Sequence, residues 1–143
     1  MAAIQTGLTL MADQLDQGIF IRLTTTREPI KRAFAGTGRS RRREKSSTYW
    51  IAKSITEGIR INHRIERAGV SVDAAEIIDV LAEELWKIPE AVAKDLVGVD
   101  ANKRDAAKRT ITSTLLSALT SGFECTFFMP EYHGMGPSSY SGS

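Results

Sequence analysis

An eight-residue segment near the middle of the first half, Gly38-Arg39-Ser40-Arg41-Arg42-Arg43-Glu44-Lys45, contains no apolar side chain. It therefore cannot contribute to a hydrophobic core, and it must be solvated or lie against an anionic partner. The proline at position 29 disfavours helical geometry at the residue before it. The sequence therefore predicts an arm or long loop over Glu28–Lys45, here called the basic arm.

A helical pattern begins after the basic arm, at about Ser46. On a helical wheel a broad apolar arc is formed by Trp50, Ile51, Ile55, Ile59, Ile61, Ile65 and Ala68. A narrow arc opposite carries Lys53, Arg60, Arg64 and Arg67. The pattern predicts one helix of about 23 residues, roughly 34 Å long at the usual rise per residue. Such a helix packs by one side and presents cations on the other.

Charge is concentrated in the range Arg27–Arg67. This range holds 12 of the 19 Lys and Arg residues but only 4 of the 17 Asp and Glu residues, so its net charge is +8 against −6 for the remainder. A dense positive field of this kind is typical of a polyanion-binding protein. The alternative for the helical part is a solvated face without a partner. The predicted nucleic-acid-binding residues are Arg27, Lys31, Arg32, Arg39, Arg41, Arg42, Arg43, Lys45, Lys53, Arg60, Arg64 and Arg67.

Aromatic residues are sparse in this basic range, which contains only Phe34, Tyr49 and Trp50. Proteins that bind single strands stack successive bases on aromatic rings. Trp50 also falls on the apolar arc, where we expect it in the core. The sequence therefore predicts a double-stranded nucleic-acid partner, with DNA favoured, bound through its phosphates with little base readout.

The remaining patterns predict a small, mainly α-helical bundle over residues 1–129 with the basic arm extending from it. Helices are expected at Thr6–Gln17 with Gly18 as the stop, from Ser71 or Asp73 to Lys87, at Pro89–Val97, and from Asp100 or Asn102 to about Ser121. A turn is expected at Ala68-Gly69-Val70. Alternation at Ile19–Thr25 and Phe123–Met129 leaves a minor two-stranded β element open. Residues 130–143, rich in Gly and Ser, are predicted to form a flexible tail.

Motifs for chemistry are weak in this chain. Two histidines, His63 and His133, and the single Cys125 do not make a zinc set by spacing. The frame Ala33–Ser40 lacks the first glycine and the lysine of a phosphate-binding loop. We expect His63 on the surface beside the basic arc, and Cys125 to act as a small hydrophobe. The sequence therefore predicts a non-enzymatic protein without metal, cofactor or small-molecule substrate.

A helix-turn-helix regulator is a competing interpretation of Glu90–Val99 followed by Asp100–Ile111. That motif has its turn glycine four positions after a small residue, whereas Gly98 follows Ala93 at five. If the motif were present, the side chains facing the DNA groove would be Lys103, Arg104, Lys108 and Arg109. This alternative predicts preference for one DNA site.

The chain is small and helical, its basic segment leads into long helices, and its short end contains Gly, Ser and Tyr. This layout resembles that of the DNA-coating major capsid proteins of filamentous archaeal viruses. The likeness covers most of the chain as layout, and no family residue is carried over. It implies a structural nucleoprotein that pairs with itself or a similar subunit. The alternative is an assembly protein without nucleic acid, such as a phage connector or neck component, whose basic arm docks on acidic proteins.

No secretory signal precedes the first acidic residues, and no apolar run approaches the length of a membrane span. A single cysteine fits a reducing compartment. We therefore expect the protein in a virion or the cytoplasm.

Overall fold

The computed structural model describes the backbone of residues 2–129 and the side chains of residues 14–129. Over that range the helices are α1 Ala2–Thr25, α2 Glu28–Ala35, α3 Lys45–Ile59, α4 Ala74–Trp86, α5 Glu90–Asp95 and α6 Ala101–Gly122. The strands are β1 His63–Arg67, β2 Val70–Ser71 and β3 Glu124–Phe127. The prediction of a mainly α-helical fold is confirmed. The predicted tail, residues 130–143, lies outside the described residues.

Helix α3 lies at the centre of the helical packing. It contacts α1 on one side and α4 on the other, and α6 packs against both of those helices. Five fully buried side chains from three of these helices illustrate the core: Ile51, Ile55, Ile59, Leu81 and Leu115. Removal of this apolar surface from water, at roughly 25 cal/mol per Å², is the main stabilising contribution to the fold.

The predicted strand Ile19–Thr25 is wrong, because these residues form the second half of α1. The buried side chains Leu15, Ile19 and Leu23 are spaced four residues apart, which is a helical period. Gly18 does not end the helix, but permits close packing. A Cβ atom there would lie 3.3 Å from Ile59 Cγ2 on α3.

The predicted 23-residue basic helix is also wrong, because α3 ends at Ile59 after 15 residues. A turn follows, in which the Asn62 N–H donates to the Ile59 carbonyl at 3.3 Å. Two residues predicted in the core, Trp50 and Ile61, are 52% and 58% exposed. Ala68 is exposed in a turn with φ of 54°. Strand pairing with β3 decides the structure after Ile59, overriding the local helical pattern.

The sheet has the strand order β2-β1-β3, with antiparallel pairing throughout. Strand β1 places His63 opposite Phe127 and Ile65 opposite Cys125. The predicted strand near Phe123 therefore exists, but its partner is β1 and not the segment Ile19–Thr25. The predicted turn at Ala68-Gly69-Val70 is confirmed as the connection between β1 and β2.

The other helix predictions are confirmed. Helix α4 buries Ile77, Ile78, Leu81 and Leu85, as its spacing predicted. Helix α6 begins at an Asp100 cap, whose side chain accepts hydrogen bonds from the N–H groups of Asn102 and Lys103 at 2.9 and 3.3 Å.

Part of the predicted basic arm is helical. Pro29 lies in the first turn of α2, where its missing N–H costs no hydrogen bond. The extended arm expected over Glu28–Lys45 is therefore wrong in its first half. What remains between α2 and α3 is residues 36–44, here called the basic loop.

Candidate nucleic-acid interface

The basic loop has a defined conformation that is tied to α2. Gly36 ends α2 in the left-handed region, with φ of 82°. The N–H of Glu44 then donates to the Ala33 carbonyl at 3.0 Å, and the N–H of Arg41 donates to the Gly38 carbonyl at 3.1 Å. The Ser40 hydroxyl lies 3.0 Å from Glu44 Oε2. The loop therefore folds back on α2 instead of extending from the domain.

Arg43 points into the domain, unlike the other arginines of the loop. Its Nε donates to the Phe34 carbonyl at 2.8 Å, and its Nη1 donates to the Ile88 carbonyl at 2.9 Å. Its guanidinium carbon lies 4.8 Å from the ring centre of Phe34 and 5.1 Å from that of Trp86. Burial lowers the pKa of Arg43, and the charge of Glu90 opposes that effect. These contacts join α2, the loop and the end of α4.

Three arginines of the loop, Arg39, Arg41 and Arg42, are exposed. In the described part of the chain, no carboxylate oxygen lies within 4.0 Å of their guanidinium nitrogens. Arg41 has φ of 61°, a conformation that is uncommon for a residue with a side chain. The loop thus presents three positive charges that the described residues leave available to an anion.

Helix α2 adds cations beside the loop. Arg32 and Arg39 both line one surface depression of about 500 Å³, together with Glu28 and Glu44. Arg32 and Lys31 both lie near Glu28, at 3.5 and 3.8 Å. Arg27, exposed at the start of α2, has no carboxylate within 4.0 Å among the described residues. We call Arg27, Arg32, Arg39, Arg41 and Arg42 the loop surface.

Two of the predicted binding residues are lysines that lie on α3, and both are paired with acids. Lys45 Nζ lies 3.8 Å from Glu83 on α4, and Lys53 Nζ lies 3.3 Å from Glu57 one turn along α3. Both pairs are largely exposed, and exposed pairs of this kind contribute little stability. They nevertheless reduce the charge that these lysines offer to a polyanion.

The predicted helical stripe of cations is not formed. Arg60 follows the end of α3, while Arg64 and Arg67 lie on β1, so they do not share a helix face with Lys53. Arg64 lies over the Phe128 ring at 5.4 Å, and Arg67 lies over the Phe123 ring at 5.1 Å. Arg67 also donates to Glu76 on α4, which raises its pKa. Of the predicted cations, Arg32 and Arg39 line one depression, and Arg41 and Arg42 lie on the same loop as Arg39.

The expectation that His63 lies on the surface is wrong, because its side chain is only 4% exposed. Its Nδ1 contacts the Ile59 carbonyl at 3.1 Å and Asn62 Oδ1 at 2.8 Å, while its buried Nε2 has no hydrogen-bond partner among the described residues. Burial lowers the pKa of His63, and the bond to Ile59 opposes this effect. His63 is therefore a neutral core residue.

Cys125 lies on β3 opposite Ile65, two register positions from the His63–Phe127 pair. Its Sγ lies 3.9 Å from the Leu119 carbonyl, and burial raises the pKa of the thiol. A raised pKa keeps the thiol protonated, which disfavours nucleophilic attack. In the part of the chain that the structure describes, no cluster of three or more His, Cys, Asp or Glu side chains could hold a metal ion.

The helix-turn-helix alternative is disfavoured by the contacts of its basic residues. The Nη1 atom of Arg104 donates to the carbonyls of Gly98 and Val99 at 2.8 and 2.9 Å, so it ties the first turn of α6 to the connection that follows α5. Lys108 and Arg109 each lie 5.1 Å from the Phe20 ring of α1. Three of the four cations of this motif are thus engaged within the domain, and Lys103 alone is exposed without such a contact among the described residues, which weakens the basic face that groove binding requires.

No helix among the described residues is long and apolar enough to cross a membrane. No protein-family model, no curated protein and no solved structure matches this chain. Its function therefore has to be inferred from the geometry of its own residues.

Proposed function

We propose that this protein is a non-enzymatic structural protein that binds duplex nucleic acid, DNA in preference to RNA, through its phosphates and assembles with like subunits. The contact is made by the loop surface, and the wider set of cations in Arg27–Arg67 contributes less. Phosphate contacts hold a duplex without reading its sequence, so binding is non-specific.

The observation that carries this proposal is the basic loop itself. Three adjacent or nearly adjacent arginines, Arg39, Arg41 and Arg42, are exposed without a carboxylate partner in the described region, and the backbone that carries them is held by hydrogen bonds. Arginine presents several N–H donors in a planar arrangement that suits phosphate oxygens. An ordered loop also loses less conformational entropy on binding than a flexible one.

The size of the loop surface sets the expected salt dependence. Four of these arginines have no carboxylate within 4.0 Å among the described residues, whereas Arg32 lies 3.5 Å from Glu28. Neutralisation of four or five phosphates gives a slope of log K against log salt of about −4. The predicted 12-cation interface would give a much steeper slope, but several of those cations are paired or turned inward. The slope therefore measures how many cations actually contact the duplex.

The test measures binding of the full chain to random duplexes of about 20 and 60 base pairs. Fluorescence anisotropy reports the binding at each concentration of a salt series. The variant is Arg39→Ala, Arg41→Ala and Arg42→Ala together. The matched control removes three exposed lysines elsewhere, through Lys87→Ala, Lys94→Ala and Lys103→Ala. The loop variant should weaken binding to every sequence and lower the slope by about three units. The control should change the slope by less than one unit.

Two results would contradict the proposal. Absence of binding to either duplex at about 50 mM salt would remove nucleic acid as the partner. An unchanged slope in the loop variant would place the contact elsewhere on the surface.

The assembly half of the proposal is supported by exposed aromatic side chains on α3. Tyr49 and Trp50 are 43% and 52% exposed, and their rings pack edge to face with centroids 5.1 Å apart. Aromatic side chains of this kind are enriched at protein interfaces. The pair favours a protein contact on the same helix that follows the basic loop.

This pair also favours the alternative function, an assembly protein of connector or neck type that does not bind nucleic acid. Sedimentation velocity of the full chain with and without duplex separates the two. Association that depends on duplex supports the coat-like function. The alternative predicts association without duplex. That association should be lost in Tyr49→Ser/Trp50→Ser and kept in the triple loop variant. A monomer under both conditions would contradict the assembly half of both.

A further inference from the structure

We propose that Arg43 is a positioning residue for the loop surface: it contacts no phosphate and fixes the conformation in which Arg39, Arg41 and Arg42 face a duplex. This inference rests on the proposed function. Arg43 would hold the loop in place, whereas its neighbour Arg42 would contact a phosphate. The sequence alone does not distinguish these two roles.

The hydrogen bonds of Arg43 connect the loop to two separate parts of the domain. Two of its nitrogens donate to main-chain carbonyls, those of Phe34 at 2.8 Å and Ile88 at 2.9 Å. Phe34 belongs to α2, while Ile88 follows α4, so one guanidinium bridges two parts of the domain that are distant in sequence. The Phe34 side chain is fully buried, which gives the loop a fixed point of attachment.

The aromatic neighbours explain why this position suits arginine and not lysine. The guanidinium lies within 5.1 Å of the ring centres of both Phe34 and Trp86, a range in which cation–π attraction is effective. A planar guanidinium can contact an aromatic ring and donate two hydrogen bonds at the same time. A lysine ammonium keeps the charge but cannot reproduce that combination.

The loop needs such an anchor because part of its backbone is unfavourable on its own. Arg41 has φ of 61°, and a residue with a side chain adopts that region only when the surroundings impose it. Arg41 has one backbone hydrogen bond to Gly38, within the loop itself. Three hydrogen bonds tie the loop's far end to the domain: the two that Arg43 donates to Phe34 and Ile88, and the one from the Glu44 N–H to Ala33.

A positioning role and a contact role predict different salt dependence. Loss of a phosphate contact lowers the slope of log K against log salt by about one unit. Loss of an anchor leaves the number of contacted phosphates unchanged and lowers affinity at every salt concentration, because binding must then order the loop. The slope and the affinity therefore distinguish the two roles within one experiment.

The experiment compares two matched pairs of variants in the full chain. Arg43→Met and Arg42→Met each remove one positive charge, and Arg43→Lys and Arg42→Lys each retain it. Each protein is titrated against the random 20-base-pair duplex across the salt series. Thermal unfolding and circular dichroism confirm that each variant is folded.

We expect Arg43→Lys and Arg43→Met to weaken binding at least about fivefold with an unchanged salt slope. We expect Arg42→Met to lower the slope by about one unit and Arg42→Lys to leave both slope and affinity close to those of the parent. A lowered slope in Arg43→Met, as large as that in Arg42→Met, would overturn the proposal, since Arg43 would then be a phosphate contact.

Amide hydrogen exchange of the free protein tests the anchor without any nucleic acid. The Glu44 and Arg41 amides should exchange at least about tenfold faster in Arg43→Lys than in Arg42→Lys, while the Leu115 amide of α6 stays protected in both. Unchanged exchange in the loop would overturn the positioning role. If the parent protein binds no duplex, the proposed function fails, and the exchange result still decides whether Arg43 orders the loop.

Discussion

The basic loop, residues 36–44, and the segment that follows α3, residues 60–67, have similar charge in the sequence but different surroundings in the fold. The loop carries exposed arginines whose one inward neighbour, Arg43, is held by main-chain carbonyls and two rings. In the second segment, Arg67 is bonded to Glu76 and Arg64 lies over Phe128, while Arg60 is exposed with no carboxylate within 4.0 Å among the described residues. The comparison teaches that charge density locates cations, whereas packing decides which of them remain available to a partner.

The largest effect is expected from Phe34→Ala, which attacks the anchored region. Phe34 is fully buried and supports Arg43, so its truncation should lower the free energy of unfolding by about 3–5 kcal/mol. Urea denaturation measures this change. The control is Ile61→Ala in the second region, where the side chain is 58% exposed and the expected change is within about 0.5 kcal/mol. Similar losses in the two variants would contradict the contrast in packing.

A smaller effect is expected from Gly36→Ala, compared with Gly69→Ala in the hairpin that follows the second region. Both glycines have positive φ, 82° and 80°. A Cβ atom at Gly36 would lie 3.1 Å from both the N and the Cγ of Arg43, whereas nothing lies within 4 Å of a Cβ atom at Gly69.

Backbone strain should therefore destabilise both variants by about 1 kcal/mol, and displacement of Arg43 should add about 1 kcal/mol in Gly36→Ala. Thermal unfolding measures the difference between them. Equal losses would mean that the loop accommodates the methyl group without moving its anchor.

The second region contains a pH-dependent element that the loop lacks. Burial holds the pKa of His63 below its ordinary value of 6.5. As the pH falls below about 6.5, the unfolded chain takes up a proton before the folded protein does, so stability should fall. Well above that pH neither state is protonated at this side chain and the contribution is constant.

Urea denaturation at pH 8, 7, 6 and 5.5 measures this dependence, and His63→Leu should flatten it. The variant retains His133, so the difference between the two proteins isolates His63. A parent curve that is as flat as that of the variant would show that the His63 proton equilibrium is the same in both states.

The helical core could be predicted from the sequence because its signal is local. The spacing of Ile77, Leu81 and Leu85 in α4, and the cap at Asp100, determine their elements without long-range contacts. Residues 19–25 were predicted as a strand but form a helix, because two apolar patterns overlap there. Ile19, Ile21 and Leu23 repeat every two residues, as in a strand. Leu15, Ile19 and Leu23 repeat every four residues, as in a helix. Packing of α1 on α3 and α6 decides between the two periods.

The sheet and the role of Arg43 could not be predicted in this way. Strand β1 follows a helix and pairs with a strand about 60 positions later, a contact that local periodicity does not contain. Arg43 has the same residue type as Arg42 and lies in the same polar run, and only the positions of Phe34, Trp86 and Ile88 separate their roles. A weak sequence signal was present, because glycine at position 36 and proline at position 29 bracket a helix in the segment predicted as an arm.

The smallest effect is expected from removing cations of the second region, and it tests the comparison most directly. Arg60→Ala/Arg64→Ala and Arg41→Ala/Arg42→Ala remove the same charge, so the long-range field of the protein changes equally in the two variants. If only the loop contacts phosphates, the first variant should change the salt slope by less than about one unit and the second should lower it by about two. Equal falls in slope would mean that the duplex spans both regions. That outcome would extend the interface from the loop surface toward β1. Arg60 and Arg64 would then contact phosphates, although they lie beyond the end of α3 and on β1.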